Sequence, residues 1–308
     1  MPLLTLFTAP KPFVDPHIAM IQRNTLRNWL ALGEEVEIVV IGDEPGIAEV
    51  CQELGIRHLP DVRCNEKGTP LISSIFDLAR AVNDSPFLAY SNADILFLPD
   101  FVDAVHSISA DKKRFLVVGQ RYDLDVTESL DFSGDWPEAL RDQVTAYGRL
   151  HGQTGSDYFI YPRACFKQIP DFAVGRAGWD NWMLFHTRWQ NWPLVDGTRA
   201  VTVIHQNHDY SHLPGGVRHY FQPETAVNLA LAGGRRTIFT LGDVTHHLIG
   251  NRLSRKPFNW KSFWHEVEIF PLVRLHSFTL GNLGFAIFHP YKAYQELKQW
   301  LVSKRGKK

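Results

Sequence analysis

Residues 3–8 form an unbroken apolar run that stops at Ala9-Pro10-Lys11-Pro12, the pattern of a strand buried on both faces and closed by a loop. Ile18, Ile21, Leu26, Trp29 and Leu30 then recur at helical spacing as far as Gly33, which predicts a helix over 18–32. Residues 36–41 repeat the strand pattern and end in Gly42-Asp43-Glu44-Pro45-Gly46. The series continues with a helix over 47–54, a strand over 56–59, a helix over 69–82, a strand over 87–90, a helix over 100–108 and a strand over 115–118. Short apolar runs alternating with amphipathic helices predict an α/β fold, a mostly parallel central sheet flanked by helices. Ligands of such sheets bind where the loops gather, at the carboxyl ends of the strands. Three polar clusters fall in those places: residues 8–11, Asp43, and residues 91–94.

The alternation weakens after Gly119. Residues 121–154 read as loop-like and rich in Asp, a wall for an acceptor, while 158–161 and 201–205 read as further strands. From about Asn251 the character changes to a helical C-terminal extension with Phe258, Trp260, Phe263, Trp264 and Phe270, an apolar stretch over 285–288, and a basic tail over 304–308. The expected organisation is one domain over 1–250, whose halves are 1–120 and 121–250, followed by the extension over 251–308. Two readings of that extension stay open: helices packed on the domain with a solvated end, or weak association with a membrane surface.

Composition narrows the function. Hydrophobic residues make up 44% and charged residues 21%, ordinary for a folded soluble protein. A formal net charge of −1 gives no overall field for nucleic acid, so an anionic ligand needs a local site. Cys51, Cys64 and Cys165 have neither metal nor redox spacing and fit a reducing compartment. No signal-peptide pattern precedes Ala9, and no run approaches the ~20 apolar residues of a membrane span. The expectation is a cytoplasmic protein, peripheral to the membrane if the extension docks.

The sharpest local signal is the run from Phe87 to Phe101, in which a buried strand leads into Asn92-Ala93-Asp94 and a helix starts near Pro99 and Asp100. Oxygen-bearing side chains at i and i+2 can face one ion where the strand pleat relaxes, and Mg²⁺ or Mn²⁺ takes one or two protein oxygens plus phosphate oxygens. Asn92 and Asp94 could equally turn the chain and cap the helix. A second cluster, Gly175 to Trp182, sets Asp180 at a helix start beside Trp179, Asn181 and Trp182. Burial against an apolar ring would raise that carboxyl and suit a general base; an N-cap is the alternative. A third brings His205, His208, Asp209 and His212 within eight residues, and His is a common ligand of borderline metals. A dedicated zinc site would need three or four converging ligands. Lys11, Arg23 and Arg176 are candidate diphosphate partners that the sequence does not rank.

Asn65-Glu-Lys-Gly68, the helix after it, Tyr90-Ser-Asn-Ala-Asp94 and Leu98-Pro-Asp-Phe101 together resemble the core of GT-A glycosyltransferases, Rossmann-like enzymes of the family-2 or exostosin kind. The likeness covers roughly 1–120, and more loosely extends to 210. It implies a UDP- or GDP-sugar donor, a sugar or other hydroxyl acceptor, and Mn²⁺ or Mg²⁺. The family motif is D-x-D, and here its first Asp is Asn92; the last Asp usually holds the metal and the first contacts the ribose. By the same resemblance Thr8, Ala9, Lys11, Asp43, Asn65, Gly68, Asn92, Ala93 and Asp94 are donor-site residues. Asp43 would accept from a base imide, although it also reads as a turn residue. Asp180 becomes the base of an inverting transfer, Asp157, Trp179 and Asn181 the acceptor side, and His208 or His205 the residue that completes the metal site with Asp94. A nucleotidyltransferase of the same architecture is the rival enzyme, although it normally carries a Gly-rich loop after the first strand, which Thr8-Ala-Pro-Lys-Pro12 lacks. A non-catalytic carbohydrate- or nucleotide-binding module is the rival outside enzymes.

Overall fold

A computed structural model describes residues 1–109, 113–208 and 222–305. In chain order the elements are β1 (Leu4–Thr8), α1 (Pro16–Leu30), β2 (Val36–Ile41), α2 (Ile47–Leu54), β3 (Arg57–Leu59), α3 (Ile72–Ala81), β4 (Phe87–Ser91), β5 (Ile95–Phe97) and α4 (Asp100–Ser109). After these come β6 (Leu116–Val118), β7 (Tyr122–Leu124), α5 (Trp136–Tyr147), β8 (Arg149–Leu150), β9 (Tyr158–Pro162), α6 (Trp179–Trp189), β10 (Leu194–Arg199) and β11 (Val203–Gln206). The chain closes with α7 (Pro223–Ala232), β12 (His246–Ile249), β13 (Arg252–Arg255), α8 (Trp260–Val273), α9 (Phe278–Phe288) and α10 (Pro290–Arg305).

Among the described residues, nine strands form the central sheet in the order β13-β12-β10-β6-β9-β4-β1-β2-β3. Its ladders are parallel except those of β9 with β4 and β6 and of β13 with β12. The expected mostly parallel sheet flanked by helices is therefore present. Alternation along the strands fills two cores. Phe7, Val39, Leu88 and Tyr90 face α3 and α6, whereas Leu6, Val40 and Ala89 face Trp29 of α1, Val50 of α2 and Phe101 of α4. Both sheet faces are covered, which is why the strands read as continuous apolar runs.

Two sequence expectations are corrected. Residues 121–154 are not loop-like: they hold β7, β8 and the 12-residue helix α5, which buries Trp136, Leu140 and Val144 at a spacing of four. The sheet also continues past residue 250, because β13 pairs antiparallel with β12. No described helix is long and apolar enough to cross a membrane.

A second, four-stranded sheet, β5-β11-β7-β8, lies beyond the end of β4. It is fastened to α1 by buried side chains. Asn28 donates through Nδ2 to the Phe97 carbonyl at 3.0 Å and accepts at Oδ1 from Phe97 N–H at 2.7 Å, while Trp29 Nε1–H donates to the Ile95 carbonyl at 3.0 Å. Gln206 of β11 donates to the Ile21 carbonyl at 2.9 Å and accepts from Asn24 at 3.1 Å. Satisfied buried amides of this kind fix one strand position, because a shift would strand polar groups away from water.

Candidate functional site

The register of the small sheet brings the site together. β5 and β11 run antiparallel with Ile95 opposite His205, and Gln206 N–H donates to the Asp94 carbonyl at 3.0 Å. Asp94, one residue ahead of β5, thus meets a histidine 111 positions later in the chain. β11 also pairs parallel with β7, placing His205 opposite Asp123. On the other side, β1, β2 and β4 are mutually parallel through β1, so their following loops lie at one edge of the main sheet. Lys11, Asp43 and Asn92 to Asp94 are on those loops.

Asp94, His205 and His208 each present a ligand atom within 4.8 Å of the others'. Asp94 Oδ2 lies 3.1 Å from His208 Nε2 and 3.9 Å from His205 Nε2. Lys11 Nζ adds a cation 3.9 Å from Asp94 Oδ2 and 3.2 Å from His208 Nε2. Asp94 Oδ1 is buried and, among the described residues, has no hydrogen-bond partner. A carboxylate oxygen in that position costs stability unless something binds it. With two imidazole nitrogens beside it, the donor set suits a divalent ion of the Mn²⁺ kind. Burial works against the Asp94 charge, but the hydrogen bond with His208 and the charges of His205 and Lys11 outweigh it and hold the carboxyl well below the usual carboxylate range. For Lys11 burial dominates and lowers its pKa, partly offset by Asp94. Asp209 and His212 lie outside the described residues.

Behind this cluster stands a layer that joins the expected Asn92 and Asp157 to Asp123, Arg121 and His151, three residues the sequence does not single out. His205 Nδ1 is 3.3 Å from Asp123 Oδ1, which turns Nε2 toward Asp94. Burial opposes protonation of His205, but Asp123 and then Asp94 outweigh it and raise the pKa above its ordinary value. Asp123 is itself paired with Arg121 Nε at 2.9 Å and His151 Nδ1 at 2.8 Å. Arg121 reaches on to Asp157 Oδ2 at 2.5 Å, and Asp157 Oδ1 accepts from Asn92 Nδ2 at 2.9 Å. Asn92 N–H also donates to the Asp157 carbonyl at 3.0 Å. The last contacts account for an amide at position 92: an Asp there would set two carboxylates against each other, whereas the Asn amide donates. The signal for Asp123 was present in Arg121-Tyr-Asp-Leu, which alternates polar and apolar as a half-buried strand does.

Asp180 lies in the first turn of α6. Gly178 is the N-cap, at φ 108°, and its N–H donates to Asp180 Oδ1 at 3.2 Å, so Asp180 is not itself the cap residue. Burial raises the Asp180 pKa despite backbone hydrogen bonds, and the charge of Asp157 raises it further. Trp179 is 6% exposed and packs edge-on against Tyr90 with centroids 5.1 Å apart. Its indole belongs to the core, and what it gives the site is the apolar wall of α6. Asn181 Nδ2 donates to the Phe239 carbonyl at 2.9 Å.

Asn65 and Gly68 form a turn, with the Gly68 N–H on the Asn65 carbonyl at 3.0 Å and Gly68 at φ 81°. Asn65 Nδ2 donates to Glu224 Oε1 at 2.5 Å, and Glu224 also holds Arg176 Nε at 3.0 Å. Arg23 is paired with Glu53. Of the three candidate diphosphate cations, Lys11 is the one beside Asp94. Thr8 is buried at the end of β1, Ala9 is half-buried after it, and Asp43 is exposed after β2. Ala93 is buried between Asn92 and Asp94.

No family model matches the chain, and no curated protein does. Among solved structures it is similar to glucosyl-3-phosphoglycerate synthase from Mycobacterium tuberculosis, determined with Mn²⁺, UDP and phosphoglyceric acid. Identity is 14%, the match covers 76% of this chain and 79% of that one, and the TM-score is 0.46. A likeness at that level assigns no activity to this chain.

Proposed function

We propose that this chain transfers a sugar from a nucleoside diphosphate sugar to a hydroxyl acceptor with the help of a divalent cation. The observation that carries the reading is the buried Asp94 carboxylate, one oxygen unsatisfied among the described residues, with His205 and His208 converging on it at the carboxyl edge of a parallel sheet. Asp94, His208 and His205 would hold the ion, and a bound Mn²⁺ or Mg²⁺ would supply Lewis acidity toward the departing diphosphate. Lys11 places a second positive charge beside the same carboxylate, suited to a polyanion rather than to a neutral ligand. Asp123 holds His205 with its Nε2 toward the ion site. Asn92, Asp157 and Arg121 form the adjoining wall. Asp180, raised by burial, would accept the proton of the acceptor hydroxyl as the sugar–diphosphate bond breaks and the new glycosidic bond forms with inversion.

The test is turnover with a panel of UDP- and GDP-sugars, Mn²⁺ and hydroxyl acceptors, following release of the nucleoside diphosphate. Metal-dependent release with a glycosylated product is expected. Release of pyrophosphate would indicate nucleotidyl transfer, and tight donor binding without turnover would indicate a binding module.

A further inference from the structure

Residues 251–308 carry eleven Lys and Arg against three Asp and Glu, in a chain whose formal net charge is −1. The three acids are all paired: Glu266 with Arg188 at 2.6 Å, Glu268 with His289 at 3.1 Å, and Glu296 with Arg236. The segment therefore presents a strong positive excess.

The same segment turns its apolar stripes outward. On α8, Trp260, Phe263, Trp264, Val267 and Phe270 recur at helical spacing, and each is more than 40% exposed. An amphipathic helix of a globular protein normally buries such a stripe. Here the buried side is only Ile269, Leu272 and Val273. On α9, Leu280, Leu283 and Ile287 repeat the spacing at 44%, 57% and 68% exposure. On α10, Tyr291, Tyr294, Leu297 and Leu301 do so as well, at 74%, 62%, 55% and 46%. The exposed rings are contiguous across two helices: Phe258 lies 5.4 Å from Trp260, Trp260 5.8 Å from Phe263, Phe263 5.4 Å from Trp264, and Trp264 6.2 Å from Phe288. An apolar surface of this continuity marks an interaction site.

Charge decides between the occupants. A second copy docked through this face would bring two strongly positive segments together, which costs association. An anionic bilayer supplies the opposite charge, and its headgroup boundary is where Trp and Tyr concentrate in membrane-bound proteins. At 14, 11 and 16 residues, α8, α9 and α10 are too short to cross ~30 Å of hydrocarbon. They would lie along the surface.

We propose that α8, α9 and α10 form a docking platform for anionic phospholipid bilayers, with the apolar stripes in the headgroup–acyl boundary and the Lys and Arg residues on the lipid phosphates. The proposal is independent of the reading of the Asp94 site. It is tested by cosedimentation of the full chain with vesicles of phosphatidylcholine alone or mixed with phosphatidylglycerol, at low and high salt. Binding to the mixed vesicles, weakened by salt, with little binding to phosphatidylcholine, is expected. Trp260→Ser with Trp264→Ser, and separately Lys292→Glu with Lys298→Glu, should each lower partitioning about tenfold or more, with unchanged circular dichroism and melting temperature. All four side chains are exposed, and if the tryptophan variant fails to fold, the lysine variant carries the test. Absence of binding to anionic vesicles, or equal binding to neutral ones, would overturn the proposal. So would a dimer in sedimentation equilibrium that the tryptophan substitutions dissolve, which would make the face a contact between copies.

Discussion

Asp123→Asn removes one negative charge while keeping size and one carbonyl oxygen, so Arg121 and His151 keep a neighbour of similar shape. What changes is His205. Its Nδ1 lies 3.3 Å from the Asp123 carboxylate, which orients the ring and makes the opposite nitrogen a better donor toward the ion site. Loss of such a partner typically lowers metal affinity about 10- to 100-fold, or about 1.4 to 2.7 kcal/mol. A second effect has the opposite sign. Asp123 raises the His205 pKa, which favours the protonated ring that cannot take a metal. The substitution relieves that competition near neutral pH and returns nothing once the pH is well above the raised His205 value, where the ring is already neutral. Orientation should win, and by most at alkaline pH. The assay is calorimetric titration of Mn²⁺ into protein with UDP present, at a pH near neutrality and at one well above it. A loss of about tenfold or more that grows with pH is expected. Unchanged affinity at the higher pH would show that His205 is not a ligand or that Asp123 does not orient it.

Other outcomes follow from the same geometry. Asn92→Asp should leave the variant less stable than wild type at neutral pH, because its new carboxylate would face Asp157 across a 2.9 Å contact; thermal melts at neutral and mildly acidic pH should converge as the pair takes up a proton. Asp180→Asn should lower turnover ~10²-fold or more with little change in donor binding. Because folding raises the Asp180 pKa, its contribution favours the fold below the unfolded carboxylate pKa of ~3.9 and is lost as pH rises through the folded value, so the Asn variant should melt no lower at neutral pH. Wild-type kcat/KM should show an acid limb above ~3.9, and a variant that melts lower but turns over normally would make Asp180 structural. His208→Ala and His205→Ala should each weaken the Mn²⁺ requirement, His208→Ala more, since His208 lies nearer Asp94; full retention in both would leave the ion to Asp94 and the diphosphate.

The parallel half of the fold is legible in the sequence because each of its strands is short, apolar on both faces and closed by Gly, Pro or Asp. The loop residues at its edge, Lys11 and Asn92 to Asp94, follow from that reading. What the sequence hides is pairing at long range. Nothing near Asp94 says that Ile95 will stand opposite His205, since that register is held by Asn28 and Trp29 of α1 bonding to β5 and by Gln206 of β11 bonding back to α1. The 121–154 segment reads as loop for a related reason: the alternation of Arg121-Tyr-Asp-Leu is too brief to stand out as a strand, and α5 buries only one residue per turn. Trp179 and Trp182 show the opposite case, a cluster that reads as exposed sugar-binding surface but whose rings pack into the core. The exposed stripes of α8 to α10 look like ordinary buried faces until accessibility is known.

The central claim is that Asp94 anchors a divalent ion on a nucleoside diphosphate, and calorimetric titration of UDP into wild type and Asp94→Ala, each with and without Mn²⁺, tests it most directly. Wild type should bind UDP tightly only when Mn²⁺ is present, and Asp94→Ala should lose that metal-dependent increment while retaining the wild-type far-ultraviolet circular dichroism. Equal Mn²⁺-dependent affinity in the two proteins would contradict the account.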